Sequence, residues 1–554
     1  MAFGAGADNA TGSYVFHHFL QMFEQAVDVI DGSGGYHAVD GFVDAAEALF
    51  AELGELLVHF LAGVFERRGH GRHVTFTYDP GMPLVAGVDS STGSTKVEIR
   101  EADTGVLVAS GSAPHPATTP PRSEQKPAAW WAAFETAWAQ ARSPEVAAIS
   151  VAGQQHGMVV LDGDGEVLRP AKLWNDTESA DDADALVAAM PRGASGWAEA
   201  CGSVPVAAFT VTKLAWLCRN EPAVWRRVAH VLLPHDWLTH RLTGRFTTDR
   251  GDASGTGYWS AAEASYRADL LALVDGSKDW GDVLPTVLGP LDLAGTWHGA
   301  QVASGTGDNM AAALGAGLRP GDVALSLGTS GTVYSVSETP TADPSGAVAG
   351  FADATGRFLP LVCTLNATKV TEAVRRLLGV DLAAFNELAL ASEAGAGGLT
   401  LLPYLDGERT PNRPNATGVL EGLRSDVTRE QLARASVEGV ICGLLDGLDA
   451  LGRLAPVTTG RLVLVGGGAR SAAFRHVLAD LTGRAVHVPS ASEHVAAGAC
   501  VQAAAVLNQE DPTAIATRWN LGGGEEVQPS SSATRDMAAE IRQRYDTRRD
   551  AEGS

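Results

Sequence analysis

The first candidate site is an acidic residue followed by a run of small residues. Asp89 ends an apolar stretch, and Ser, Thr and Gly fill the next six positions, with Thr92, Gly93 and Ser94 at their centre; Lys96 to Arg100 then follows. Small residues let backbone N–H groups surround a phosphate, and a carboxylate at a strand end can hold hydrated magnesium. We therefore predict a phosphate turn contacted through Thr92 and Ser94, with Asp89 as the metal ligand, although an ordinary hairpin turn fits the same pattern. A Walker A loop is excluded, because Ser94 and not lysine follows Gly93.

A second turn of the same design lies about 240 residues further along the chain. The apolar stretch Val323 to Leu327 leads into Gly328 and Thr329, and aligning Thr92 with Thr329 brings the small residues of both turns into register. Two strand–turn–strand units, one in each half of the chain, predict a duplicated fold that faces one shared phosphate.

A third glycine-rich turn follows the apolar stretch Arg461 to Val465. It contains Gly467 and Gly468, and Ser471 marks the start of a predicted helix. Three consecutive glycines are weak evidence alone, but a turn between a buried strand and a helix suits close approach of a nucleotide. Gly467, Gly468 and Ser471 are therefore predicted nucleotide contacts.

An acidic residue lies between the two hairpin turns, in the segment Ser304 to Ala311. Asp308 follows Gly307 at a predicted helix start and precedes Asn309. An N-cap is the simpler interpretation of such an aspartate. The alternative is a general base, because a hydroxyl attacks phosphorus poorly unless its proton is accepted as the bond forms. On that interpretation Asp308 accepts the proton and Asn309 binds the substrate that carries the hydroxyl.

Composition excludes several classes of protein. The chain has 554 residues, too many for one hydrophobic core, so we expect at least two domains. Its formal net charge of −24 argues against binding nucleic acid or an anionic membrane by bulk electrostatics. The five cysteines lack metal-ligand or CxxC spacing, and no apolar run reaches the roughly 20 residues of a membrane span. We expect no signal peptide and a reduced, cytoplasmic location.

The elements that must position these residues begin near Met82. Apolar stretches with strand character alternate with helical periodicity, as in Thr428 to Leu451, which predicts α/β layers. Residues 1–81 differ, with nine of the sixteen Phe, no Lys, no recognisable motif and one helical pattern, Val43 to Phe65. The expected organisation is an extension of unknown role that need not be native (1–81), two domains (82–320 and 321–521) and a polar surface tail (522–554) with one amphipathic stretch, Met537 to Tyr545.

The chain resembles the FGGY carbohydrate kinases over roughly residues 84–510. Their C-terminal signature is matched from Gly418 to Leu423 and, after seven residues, from Gln431 to Glu438. Their N-terminal signature is matched less fully, at Thr210, Lys213, Leu214, Trp216 and Leu217. Three further segments resemble the xylulose kinases of this family: Gly153-Gln154-Gln155-His156-Gly157-Met158, Leu173-Trp174-Asn175-Asp176 and Asp252-Ala253-Ser254-Gly255-Thr256.

This resemblance implies an α/β actin-like ATPase fold, in which two ribonuclease-H-like domains close over sugar and ATP. It implies that D-xylulose is converted to D-xylulose 5-phosphate in pentose catabolism, with ATP and Mg²⁺ required and Asp308 as the base. Gln155 and His156 would contact the ketose with Asn309, although a lone histidine after a strand is more often structural. The family's phosphate turns match those found here, so the implied ATP contacts are Thr92, Ser94, Gly328, Thr329, Gly467, Gly468 and Ser471.

Two positions depart from the family pattern. Ser91 replaces a glycine that is often found in the first turn, and Glu178 stands where an arginine often follows the Leu173 to Asp176 segment. Neither removes the base or the second turn. Lys213 is interpreted as a solvated helix residue and not as a phosphate ligand.

Other functions stay open on sequence grounds. One is a kinase of another ketose or polyol, such as ribulose, glycerol or gluconate. Another is a non-catalytic actin-like sugar sensor, which would keep the fold but lack a base; Asp308 and Asn309 argue against it. The expected partners are a small sugar and ATP, without nucleic acid or membrane. The oligomeric state is left open, a homodimer included.

Overall fold

The computed structural model describes residues 81–142, 145–491, 493–530 and 532–551. The helical pattern at Val43 to Phe65 and nearly all of the extension 1–81 lie outside these residues. The strands that precede residue 320 are β1 (Leu84–Ser90), β2 (Ser94–Glu101), β3 (Leu107–Pro114), β4 (Glu124–Gln125), β5 (Ala148–Gly153), β6 (Val159–Leu161), β7 (Ala171–Lys172), β8 (His230–Leu232), β9 (Thr247–Asp249), β10 (Trp259–Ser260), β11 (Ser265–Tyr266), β12 (Thr286–Leu288), β13 (Leu293–Trp297), β14 (Ala300–Ala303) and β15 (Thr306–Gly307).

The first strand of the second half coincides with the apolar stretch Val323 to Leu327, which predicted a strand. They are β16 (Val323–Leu327), β17 (Gly331–Ser335), β18 (Ala349–Ala352), β19 (Phe358–Thr364), β20 (Thr400–Leu402), β21 (Val419–Glu421), β22 (Leu462–Val465), β23 (Val486–Pro489) and β24 (Gly524–Val527).

Helices fill the connections between strands. They are α1 (Pro127–Gln140), α2 (Ala180–Ala189), α3 (Gly193–Cys201), α4 (Thr210–Asn220), α5 (Pro222–Trp225), α6 (Pro234–Thr243), α7 (Arg250–Ser254), α8 (Ala268–Asp275), α9 (Asp308–Gly315), α10 (Thr368–Leu378), α11 (Leu382–Ala391), α12 (Arg429–Gly452), α13 (Ala472–Thr482), α14 (His494–Asn508), α15 (Pro512–Arg518) and α16 (Ser532–Ala551). No helix within the described ranges combines the length and hydrophobicity needed to cross a bilayer.

Two seven-stranded sheets repeat one topology. The first has the order β13-β14-β5-β1-β2-β3, with β15 added beside β5, and the second has the order β18-β19-β17-β16-β22-β23-β24. In each sheet the leading strand pairs antiparallel with the next strand and parallel with a later one: β1 with β2 and β5, and β16 with β17 and β22. The duplicated α/β fold predicted from the two hairpin turns is thus confirmed.

The longest predicted helix is confirmed together with its N-terminal signal. Helix α12 follows Thr428, whose hydroxyl accepts the N–H of Gln431 at 3.3 Å, while the Gln431 side chain accepts the N–H of Thr428 at 3.1 Å. This reciprocal pair satisfies two backbone donors that a helix start leaves without partners. Leu444 and Leu451 are fully buried on the core-facing side of the helix.

Helix α14 comes late in the sequence but packs against the first sheet. A methyl group on Gly87 of β1 would lie 2.2 Å from the Ala496 carbonyl, and one on Gly498 would lie 2.0 Å from the Ala311 carbonyl of α9. Gln502 also donates to the Gly305 carbonyl at 3.0 Å. Small residues therefore allow α14 to approach β1 and α9 closely, and these are the elements that carry Asp89 and Asp308.

The segment after residue 521 is more than a surface tail. Strand β24 extends the second sheet by pairing antiparallel with β23. On α16, Ile541 and Tyr545 are buried against Leu402, Tyr404 and Cys442. The expected polar surface tail was wrong because its few apolar residues recur at helical spacing and complete a core.

Candidate active site

A cavity of about 290 Å³ lies between the two halves of the fold. Its lining includes six of the predicted site residues, five from the first half and one from the second: Thr92, Gln155, His156, Asp308, Asn309 and Gly328. The remaining predicted residues are not part of this lining: Asp89, Ser94, Thr329, Gly467, Gly468 and Ser471. The sugar and base residues are therefore brought together with one predicted contact residue of each hairpin turn.

Asp308 is the first residue of α9, while Gly307 occupies the N-cap position, so the N-cap interpretation is wrong. Asn309 donates through Nδ2 to Asp308 Oδ1 at 2.9 Å and to Gln155 Oε1 at 2.8 Å. A methyl group on Gly307 would lie 2.7 Å from Gln155 Cγ, so glycine permits this close packing. Burial, and after it the charges of Asp89 and Asp252, raise the pKa of Asp308 to about 7.

The His156 ring is held by a hydrogen bond from one of its two nitrogens. The residue has φ of 65°, and its Nδ1 donates to the Gly255 carbonyl at 2.6 Å. This bond places the proton on Nδ1 and leaves Nε2 as an acceptor. The ring stacks on Phe209, with centroids 4.9 Å apart, and burial lowers the pKa of His156 to about 3. The imidazole is thus a neutral acceptor in the cavity lining.

A second buried histidine, His235, lies in a cluster of carboxylates. His235 Nδ1 donates to Asp252 Oδ2 at 2.8 Å, and both side chains are fully buried. Burial opposes protonation of this imidazole, but neighbouring carboxylates, Asp236 foremost, raise the pKa of His235 to about 9. A methyl group on Gly305 would lie 2.6 Å from the His235 ring, so the cluster packs directly against the turn that leads to Asp308.

The first hairpin turn presents Thr92 to the cavity. Trp174 donates through Nε1 to Thr92 Oγ1 at 2.8 Å, and Gln125 donates to the Thr92 carbonyl at 3.0 Å. A methyl group on Gly93 would meet no atom within 4 Å, so the turn is open at its tip. Ser94 already belongs to β2, where its Cα pairs with that of Pro114.

Asp89 is almost fully buried at the end of β1, beneath this turn. The Ser91 hydroxyl donates to Asp89 Oδ1, so the departure at position 91 adds a bond to the metal-ligand candidate. Burial raises the pKa of Asp89 to about 6, although the Ser91 bond and the Lys96 charge oppose the shift.

The second and third turns lie side by side because β16 and β22 are parallel neighbours. Gly468 packs against the end of β16, where a methyl group would lie 2.7 Å from Leu327 Cβ, while Gly467 is exposed. The Ser471 hydroxyl accepts the N–H of Phe474 at 3.3 Å as the N-cap of α13 and bonds the Asn386 side chain. Its hydroxyl is therefore already engaged within the protein.

Lys213 and Glu178 are not part of the cavity lining, and both make ion-pair or hydrogen-bond contacts within the protein. Lys213 is fully buried, with Nζ donating to the carbonyls of Ala207 and its two successors, so the expected solvated position is wrong. Glu178 faces away from the cavity and pairs with Arg122 at 2.8 Å and with buried Lys172. Hydrogen bonding to Arg122 is the main cause that lowers the pKa of Glu178 to about 2.

The acidic group around Lys172 has metal-ligand spacing but holds an ammonium instead. Glu124, Asp176 and Glu178 lie close enough to share an ion. Lys172 Nζ occupies that position, 3.0 Å from Asp176 and 3.4 Å from Glu124. The departure at Glu178 therefore builds an ion-paired support behind the segment that carries Trp174.

Several cavity residues were missed by sequence reasoning. Phe209 and Phe351 flank His156, and Arg409 reaches the lining from the second half. The aromatic pair carries no sequence signal, because Phe351 on β18 and Phe209 just before α4 read like ordinary core residues. Trp174 lies in the Leu173 to Asp176 segment that resembles xylulose kinases, but nothing in the sequence indicated its contact with Thr92.

Comparison with known proteins gives a family for the chain. The N-terminal domain of the FGGY family of carbohydrate kinases matches residues 84–315, and its C-terminal domain matches residues 323–507. The xylulose kinase of Streptomyces rubiginosus is 49% identical over 453 residues, which is 80% of this chain and 92% of the relative. That of Escherichia coli strain K12 is 36% identical over 429 residues, or 72% of this chain and 85% of the relative.

Solved structures agree with these matches. The crystal structure of xylulose kinase from Bifidobacterium adolescentis is 45% identical, covers 83% of this chain and 99% of that one, and superimposes with a TM-score of 0.73. The two-domain fold implied by the sequence is thereby confirmed. The chain belongs to the FGGY family of carbohydrate kinases.

Proposed function

We propose that this protein transfers the terminal phosphoryl group of ATP to the 5-hydroxyl of D-xylulose, giving D-xylulose 5-phosphate and ADP. The observation that carries the proposal is the position of Asp308, in one cavity with Thr92, Gly328, Gln155 and His156. A base, a polar substrate wall and a residue of each phosphate turn thus share one space. The 49% identical relative is a xylulose kinase, which supports xylulose as the acceptor.

Asp308 acts as the general base in this proposal. The 5-hydroxyl oxygen forms a bond to the γ-phosphorus, its proton passes to the Asp308 carboxylate, and the bond from phosphorus to the bridging oxygen breaks as ADP leaves. A base with a pKa of about 7 is largely ionised just above neutral pH and still accepts a proton readily. The 5-hydroxyl is primary, so it reaches the phosphorus with little crowding.

Recognition of the ketose rests on donors and acceptors that the protein leaves unpaired. Gln155 is buried, and its Nε2 has no partner among the described residues. An unmet buried donor costs about 1–3 kcal/mol, which a correctly placed sugar oxygen would recover. His156 Nε2 offers an acceptor in the same cavity lining. Epimers of similar size would then be separated by whether their hydroxyls meet these two atoms.

The nucleotide is assigned to the three turns. Thr92, Ser94, Gly328 and Thr329 would contact phosphates through hydroxyl and backbone groups, with Gly467, Gly468 and Ser471 at the other end of the nucleotide. Exposed Gly467 leaves room for a ligand. At Ser471 we assign the contact to the backbone, because its hydroxyl is engaged.

Magnesium fits the Asp89 carboxylate. Burial raises the pKa of this carboxyl, so a divalent cation would offset an electrostatic cost already present in the fold. When bound, the ion would neutralise charge on the phosphate oxygens. The protein's own contribution is to hold the carboxylate at the end of β1 through the Ser91 bond.

Location and assembly form a separate part of the proposal. All five cysteines are unpaired, which supports a reducing cytoplasmic compartment. Leu377 and Leu382, on the neighbouring helices α10 and α11, are 83% and 64% exposed, which supports self-association as a homodimer. Sedimentation velocity across a range of protein concentrations tests the assembly.

The test of function measures xylulose-dependent ADP formation by the wild-type chain and by Asp308→Ala. We expect the variant to bind xylulose in calorimetry but to lose about 10²–10⁴-fold in kcat, the usual contribution of a positioned base. Turnover within a few-fold of wild type would remove the role assigned to Asp308. Absence of xylulose-dependent ADP formation by the wild type would remove the function itself.

A further inference from the structure

The cavity contains a cation that the catalytic scheme has not used. Among the described residues that line the cavity, the basic side chains are Arg409 and His156, and the acidic one is Asp308. His156 is neutral because burial lowers its pKa, so Arg409 is the cation of this lining. The Arg409 guanidinium has no hydrogen-bond, ion-pair or ring partner within the described part of the chain, whereas its backbone N–H is bonded. A guanidinium carries five donors, so this cavity holds an unused set of them.

The main chain around Arg409 is held firmly. The buried Glu408 carboxylate accepts from the N–H groups of Leu365 at 2.6 Å and Arg409 at 2.7 Å, and from Asn366 Nδ2 at 2.9 Å. On the other side, the Thr410 hydroxyl donates to the Cys363 carbonyl at 2.8 Å. These bonds tie the residues flanking Arg409 to the end of β19. The guanidinium is therefore presented from a fixed backbone of the second half.

The surroundings of Arg409 favour the sugar over the phosphates. The backbone and hydroxyl donors of the two hairpin turns are the groups proposed above for the phosphates. Arg409 lines the cavity together with Gln155, His156 and Phe209, which form its first-half wall. Burial is the main cause that lowers the pKa of His156, and the Arg409 charge adds to it. Gln155 and His156 on that wall offer one donor and one acceptor, so additional donors are needed for a ligand with several oxygens.

We propose that Arg409 is a substrate-binding residue, which donates hydrogen bonds to xylulose oxygens from the second half while Gln155, His156 and Asp308 hold the sugar from the first. The sugar would then bridge the two halves. This inference rests on the proposed xylulose kinase activity. It adds a residue from the opposite domain to the sugar site.

The test compares Arg409→Met with Arg413→Met as a matched control in the same loop. The Arg413 guanidinium bonds the Arg549 carbonyl and is not part of the cavity lining. For Arg409→Met we expect xylulose affinity, measured by calorimetry without nucleotide, to fall by about 10–100-fold, the range for hydrogen bonds from a charged donor. The KM for xylulose should rise in parallel, while the KM for ATP and the thermal unfolding midpoint stay unchanged. Arg413→Met should keep wild-type xylulose affinity.

Two outcomes would overturn the proposal. Unchanged xylulose affinity with a lower kcat or a higher KM for ATP would assign Arg409 to the phosphoryl group. A lower unfolding midpoint with sugar affinity lost equally in both variants would make the loop merely structural. Failure of the proposed function is distinguishable, because the wild-type chain itself would then neither bind nor phosphorylate xylulose.

Discussion

Replacing Asp308 by asparagine should abolish turnover and at the same time stabilise the folded protein. The carboxylate must be ionised to act as a base, yet burial and the charges of Asp89 and Asp252 oppose its ionisation. Asparagine keeps nearly the same shape and remains neutral at every pH. The variant would therefore lose turnover and gain stability through the replacement of one carboxylate oxygen by an amide nitrogen.

The size of the gain follows from the pKa of Asp308. A rise from 3.8 to about 7 is a shift of about three units, and each unit corresponds to about 1.4 kcal/mol. The upper limit is thus about 4 kcal/mol at pH 8. Water in the open cavity screens this half-buried group, so we expect an observed gain of about 1–2 kcal/mol.

The gain must depend on pH in a defined direction. Below pH 3.8 the carboxyl is protonated in both the folded and the unfolded chain, so it costs nothing. As the pH rises through 3.8 the unfolded chain ionises first, and the cost to the folded state grows until the pH passes about 7. The difference between variant and wild type should be full at pH 8 and clearly smaller at pH 5.5.

Thermal unfolding of wild type and Asp308→Asn at pH 5.5 and pH 8, without ligands, measures the effect. Asp269→Asn is a matched control in the first turn of α8, where hydrogen bonding to Arg267 lowers the pKa, so asparagine should not stabilise there. A variant at position 308 that is less stable than wild type at pH 8 would refute the reasoning. So would a gain that does not shrink at pH 5.5.

Three further outcomes are expected. The kcat/KM for xylulose should fall about tenfold per pH unit below pH 7 and level off above it, because Asp308 must be ionised in the free enzyme; a flat acid limb would contradict this. Asp89→Asn should raise the magnesium concentration needed for half-maximal rate, and should move the acid limb to lower pH because a charge that raises the Asp308 pKa is gone; an unchanged magnesium titration would mean that Asp89 only shapes the turn. A chain that starts at Met82 should keep the melting temperature and turnover of the full chain, because the family match begins at residue 84; an inactive truncation would make 1–81 structural.

Much of the fold could be predicted from sequence because its signals are local. Apolar runs such as Val323–Leu327 predict buried strands, and the Thr428 and Gln431 pair predicts the start of α12. The tail was misjudged because Ile541 and Tyr545 are sparse on a polar helix, and their burial depends on Leu402 and partners far away in sequence. Local composition carries no record of such packing.

The candidate site was predicted where its residues follow strand ends, and was missed where they come from loops. Asp308 and Gln155 lie in segments rich in small residues, which let the backbone pack closely, as Gly307 packs against the Gln155 side chain. Arg409 gives no such signal, because its importance depends on having no partner in a cavity, which is a property of the folded chain. Lys213 was misjudged for a related reason: its burial depends on carbonyls around Ala207 that accept hydrogen bonds from its Nζ.

The central claim is tested most directly by specificity constants for xylulose, ribulose, glycerol and gluconate, measured with ATP in one ADP-forming assay. The proposed sugar site offers Gln155 Nε2 as a donor and His156 Nε2 as an acceptor, and a sugar whose oxygens do not reach Gln155 leaves its buried Nε2 unpaired. The account predicts the highest kcat/KM for xylulose. A higher value for any of the other three would contradict the assignment of xylulose as the substrate.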